Sequence, residues 1–165
     1  HLHRINNLHQ LSDKLENITS SNLIADYIKK NIRGEYYFVG PDWESQQWNK
    51  KIAKILNKKV LILSKKRLGD IDVKIKNKKL GNPEDIAIVC DDIISTGATM
   101  ISTIKMARKQ GIKKFIAIGI HGLFVNNSDK KIKKYANIIT TNTVPSKYSR
   151  IDISPSITKA LERYI

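Results

Sequence analysis

Short apolar runs that alternate with stretches of helical periodicity constrain this chain more than any other feature. The runs are Tyr36 to Gly40, Val60 to Leu63, Ile86 to Cys90 and Phe115 to Gly119, with weaker candidates at Asn137 to Thr140 and Arg150 to Ile153. The third is apolar enough for a strand buried on both faces. Thr19 or Ser20 caps a first helix carrying Leu23, Ile24, Tyr27 and Ile28, which should stop near Gly34. Glu44 to Asn57 places Trp48, Ile52, Ile55 and Leu56 on one side, and Thr99 to Gln110 places Met100, Ile104 and Ala107 before Gly111. Ser154 and Pro155 read as cap and first-turn proline of a last helix facing inward with Ile157, Ala160 and Leu161. Strands separated by helices predict an α/β fold: a central, mostly parallel sheet flanked by helices, in one domain over residues 1–165. Ligands of such sheets bind beyond the carboxyl ends of the strands, so the residues after Gly40, Leu63, Cys90 and Gly119 should share one rim.

Charge narrows the ligand class. The chain has 30 Lys plus Arg against 15 Asp plus Glu, a formal charge of +15, and so favours anions such as phosphorylated metabolites. The bases are spread as short lysine pairs rather than one block; nucleotides and nucleic acid fit the charge as well, and nucleic acid is not the expected partner. Cys90 is the only cysteine, which excludes an intrachain disulfide and fits the reducing cytoplasm. Its apolar neighbours suggest a small buried hydrophobe rather than a nucleophile. No apolar run approaches a membrane span. The start His-Leu-His-Arg is neither a signal peptide nor an initiator methionine, and reads as processed, truncated or split from something upstream. Ser64 to Gly81, Lys-rich and nearly free of aromatic residues, reads as a mobile flap or hairpin.

The chemistry concentrates in Ile-Ala-Ile-Val-Cys90-Asp91-Asp92-Ile-Ile-Ser95-Thr96-Gly97-Ala98-Thr99-Met100. A buried strand runs into two carboxylates, then a turn of small residues, then a helix. Gly97 and Ala98 let the backbone approach an anion, and the free N–H groups of a helix start attract one. Ser95, Thr96 and Thr99 add hydroxyls. Adjacent carboxylates suit vicinal sugar hydroxyls or a hydrated Mg2+.

This stretch resembles the ribose-phosphate-binding signature of the type I phosphoribosyltransferase fold, and further segments resemble the ribose-phosphate pyrophosphokinase family. Gly40-Pro41-Asp42 is similar to the family's pyrophosphate-side loop, whose aspartate binds metal. Leu63-Ser64-Lys65-Lys66-Arg67 is similar to its flexible catalytic loop, where a Lys and an Arg two residues apart act on the transferring group. His3 matches a histidine near metal and ATP. His121 to Phe124, Thr143-Val144-Pro145 and Ile151 to Ile165 resemble later segments. The resemblance implies Lys65 and Arg67 as catalytic residues. It implies Asp91, Asp92, Ser95, Thr96, Gly97, Ala98 and Thr99 as the ribose 5-phosphate site, with His3 and Asp42 at Mg2+. It also implies ATP and ribose 5-phosphate as substrates and a homo-oligomer. An upstream half carrying the adenine site would be joined to this chain or supplied as a separate one.

Departures accompany it. Ser95 stands where many members carry Asp, Ala98 where many carry Gly, and His1 where Asp is common. Trp-Glu-Ser-Gln follows Asp42 in place of a glycine-rich run. Trp43 and Trp48 read as packing residues, His9 as incidental, and His121 as a structural histidine at a strand end. The alternatives are a phosphoribosyltransferase that consumes phosphoribosyl pyrophosphate, and a non-catalytic binding or regulatory subunit. Mere binding does not require the Lys65 and Arg67 pair.

Overall fold

The computed structural model describes residues 18–40, 46–63, 82, 84–162 and 164, without the side chains of 46–48. Its elements are α1 (Ser21–Asn31), β1 (Tyr36–Gly40), α2 (Gln46–Ile55), β2 (Val60–Ile62), β3 (Ile86–Ile94), α3 (Ala98–Lys109), β4 (Lys114–Gly122), α4 (Ser128–Lys133), β5 (Asn137–Thr141), β6 (Ser149–Ile151) and α5 (Ser154–Leu161). The strands form one six-stranded sheet in the order β2-β1-β3-β4-β5-β6. Every neighbouring pair is parallel.

Side-chain alternation along the strands feeds a core on each face. Val39, Ala87, Val89, Ala117 and Ile138 pack with Met100, Ile104 and Ala107 of α3 and Ile132 of α4. Phe38, Ile88, Cys90 and Ile118 pack instead with Ile24 and Ile28 of α1 and Ile52 and Ala53 of α2. Parallel strands with both faces covered explain why β3 reads as a continuous apolar run. The chain leaves β1 outward to β2 and returns to β3 on the other side, so the order reverses between β1 and β3. Ligands of open parallel sheets bind beyond the carboxyl ends of the strands at a reversal of this kind.

Several expectations are corrected. β3 continues to Ile94 and β4 to Gly122, past Cys90 and Gly119, because the two strands stay in register through Ile93 with His121 and Ile94 with Gly122. Ile55 is 49% exposed, since the buried arc of α2 runs through Asn49, Ile52 and Ala53 with Leu56 partly covered. In α5 only Ala160 is buried, while Ile157 and Leu161 are 39% and 54% exposed. The preceding β6 is a three-residue edge strand and offers a helix little surface to cover. Ser154 does not cap α5. Asp152 accepts from both its N–H at 2.9 Å and its hydroxyl at 2.7 Å, the local turn that a short carboxylate makes. Among the described residues no helix is long and apolar enough to cross a membrane.

The Tyr37 hydroxyl is buried with no hydrogen-bond partner among the described residues. Burial first, and the Asp85 charge second, push its pKa up to about 12. An unpaired buried hydroxyl costs about 1–3 kcal/mol, part of which the phenyl ring of Phe would recover. Tyr37→Phe should therefore raise stability by about 1 kcal/mol, seen as a higher urea midpoint at unchanged slope. A lower midpoint would mean that the hydroxyl has a partner.

Candidate functional site

β3 carries Asp91 and Asp92 to the rim beside the switch point. Asp91 Oδ1 accepts from the Asp92 N–H at 3.0 Å, and Asp92 Oδ1 accepts from the Ile93 N–H at 2.8 Å. Each carboxylate is thus steered by the next peptide and stays half-buried. Beneath them Cys90 is 3% exposed, and burial, with the Asp91 charge second, pushes its thiol pKa up. That leaves it protonated and inert, as expected. The Cys90 carbonyl accepts from the buried Asn49 Nδ2 of α2 at 3.4 Å.

The turn after β3 is shaped by two close approaches. Ile94 folds over Gly119 of β4, where a Cβ would lie 2.5 Å from Ile94 Cδ1. Gly97 has φ +70°, the left-handed region that glycine enters without penalty. A Cβ on it would lie 2.7 Å from Ile132 Cδ1. Gly97 is also the N-cap of α3, so that helix begins with no side-chain cap and no acidic residue in its first turn. Thr96 Oγ1 accepts from the Ala98 N–H at 3.5 Å, at the limit of a hydrogen bond. First-turn N–H groups in this state, with the helix dipole behind them, favour an anion. A cavity of about 80 Å³, lined by Asp91 and the run 93–100, lies in this turn. The structure therefore brings together Asp91, Ser95, Thr96, Gly97, Ala98 and Thr99 around one cavity, with Asp92 on the adjoining strand end. Lys65, Arg67, His3, Asp42, Trp43, His9 and the segment Ser64 to Gly81 lie outside the described residues.

The profile described as phosphoribosyl synthetase-associated domain matches residues 77–164. The ribose-phosphate pyrophosphokinase of Pyrococcus furiosus is 31% identical over 161 residues, covering 97% of this chain and 57% of that protein. This chain belongs to the ribose-phosphate pyrophosphokinase family. The family's Thermoplasma acidophilum member is 38% identical over 118 residues, 71% of this chain and 41% of its own length. The chain thus spans about half the length of these pyrophosphokinase relatives. Phosphoribosylpyrophosphate synthetase from Mycobacterium smegmatis shares the fold at a TM-score of 0.70 with 22% identity, over 88% of this chain and 50% of that one. An adenine phosphoribosyltransferase from Trypanosoma brucei shares it at 0.53 with 15% identity, over 85% and 74%. The fold is thus the type I phosphoribosyltransferase-like sheet that the pyrophosphokinase resemblance implied.

Sequence reasoning missed what stands behind the turn. Leu123 and Phe124 N–H groups both donate to the Ile94 carbonyl at 3.0 Å, and Val125 N–H donates to the Ser95 carbonyl at 3.1 Å. Ser128 Oγ donates to the same Ser95 carbonyl at 2.6 Å. The available signal was Asn126-Asn127 before Ser128-Asp129, since asparagine tolerates the left-handed backbone found there. His121 sits at the end of β4 in a threonine network. Thr143 Oγ1 donates to the Ile120 carbonyl at 2.8 Å and lies 2.8 Å from His121 Nδ1.

Proposed function

We propose that this chain carries the ribose 5-phosphate side of a ribose-phosphate pyrophosphokinase. The reaction moves the diphosphoryl group of ATP onto the C1 hydroxyl of ribose 5-phosphate, giving phosphoribosyl pyrophosphate and AMP. One observation carries the reading: β3 brings two carboxylates to a left-handed glycine turn at a helix start with no side-chain cap, and Asp91 and that turn line one cavity. A 5-phosphate fits the N–H groups of the run 95–99, aided by the Ser95, Thr96 and Thr99 hydroxyls. Asp91 and Asp92 then accept from the ribose hydroxyls, which fixes the C1 hydroxyl in one direction. Lys65 and Arg67 are assigned to the transferring group, for which an arginine offers a fixed fork of donors. The chemistry asks mainly for two polyanions to be held in line and their charge balanced.

Among the described residues no group of three or more acidic, His or Cys side chains is placed to cage a metal. Mg2+ needs no such cage, because it keeps most of its waters and binds through one or two carboxylates and substrate phosphates. Asp91 and Asp92 fit that mode, with His3 and Asp42 as further ligands. When bound, Mg2+ offsets the phosphate charge. Residues 1–165 as one domain, homo-oligomeric assembly, an adenine site supplied by an upstream half and a cytoplasmic location complete the reading.

The test is calorimetry with ribose 5-phosphate and with ribose. Binding of the first, at least about tenfold tighter than the second, is expected from a charge-assisted phosphate site. No binding of ribose 5-phosphate would sink the assignment. AMP release that requires ATP and ribose 5-phosphate, but no nucleobase, separates this reaction from base transfer.

A further inference from the structure

A phosphate cradle works only if its carbonyls point away from the anion. In a trans peptide the carbonyl and the following N–H point in opposite directions. Whatever holds the Ile94 and Ser95 carbonyls therefore aims the N–H groups of Ser95 and Thr96. Both carbonyls are held by one segment. Ile94 O accepts from Leu123 and Phe124, and Ser95 O accepts from Val125 at 3.1 Å and from the Ser128 hydroxyl at 2.6 Å.

We infer that Ser128 is a positioning residue for anion binding, clamping the Ser95 carbonyl so that the Thr96 N–H faces the cavity. This rests on the ribose 5-phosphate reading and deepens it. Ser128 is fully buried, so its hydroxyl is not competing with solvent. It opens α4, and Ile132, one turn on, packs against Gly97 from the same helix face. One short helix thus backs the turn at two points. α4 is itself tied down: Asp129 accepts from the Tyr148 hydroxyl at 3.1 Å and pairs with Lys147 at 3.3 Å. Phe124, Asn126 and Asn127 all have φ between 49° and 55°. Asparagine tolerates this left-handed backbone, but at Phe124 it is costly, and the four bonds donated to the turn are what the segment achieves.

The experiment is Ser128→Ala in the full chain, read in two ways. Amide NMR reads the clamp without any ligand: the Thr96 N–H should shift and exchange with solvent faster than in the parent, while amides in the α1–α2 face stay unchanged. Calorimetry should show ribose 5-phosphate binding weakened about 3- to 10-fold, the worth of one such hydrogen bond, with ribose affinity unmoved. Should Ser128→Ala not fold, Ser128→Gly, which removes the hydroxyl without adding bulk, is read in the same way. An unchanged Thr96 amide, or equal loss for ribose and ribose 5-phosphate, would overturn the clamp. If the parent protein binds no ribose 5-phosphate, the functional reading fails, and the Thr96 amide still decides the clamp.

Discussion

Gly97→Val is expected to weaken ribose 5-phosphate binding by about 100-fold, the scale of loss when binding groups are displaced by about 1 Å. The new Cβ would face α4 rather than the cavity, at 2.7 Å from Ile132 Cδ1. The effect therefore arises by displacement: the turn must move off Ile132, and its N–H groups move with it. A β-branched residue also resists φ +70°. The substitution carries a stability cost that the sequence did not foretell, about 1–2 kcal/mol for the left-handed backbone and a further 1–3 kcal/mol for overpacking. Thermal melting should accompany calorimetry, and Gly97→Ala, which adds the Cβ alone, should fall between the two. Parent-like affinity in folded Gly97→Val would remove this turn from the binding site.

Lys65→Ala and Arg67→Ala should each lower turnover by about 100-fold or more, while the KM for ribose 5-phosphate stays within about threefold. A cation that meets charge developing only during transfer stabilises the transition state more than the ground state. In the proposed reading the ribose 5-phosphate is held elsewhere, by the run 95–99 and the two aspartates. The measurement is AMP release with ATP, Mg2+ and ribose 5-phosphate, with the adenine-site half present. Losses divided equally between kcat and KM would recast both residues as substrate binders. Full activity in either variant would remove that residue from the mechanism.

The residues that specify the sheet specify it locally. Ile86 to Cys90 is apolar at every position because both faces of β3 are covered, and Met100, Ile104 and Ala107 repeat at helical spacing because one side of α3 meets the sheet. The turn after β3 was legible for the same reason. Strand, carboxylates, small residues and helix start are contiguous, and each answers to a rule of backbone geometry. Sequence alone therefore determined the α/β sheet and the strand, turn and helix start of the run from Asp91 to Thr99. What tertiary structure decided was long-range. Ile94 finds room only over Gly119, 25 positions on, and the Ser95 carbonyl is held by Ser128 across 33 positions. No local pattern records such pairings, since they exist only once β3 and β4 lie side by side. α5 failed for the complementary reason: its apolar spacing is real, but burial depends on what faces it, and the edge of the sheet supplies too little surface to cover Ile157 and Leu161.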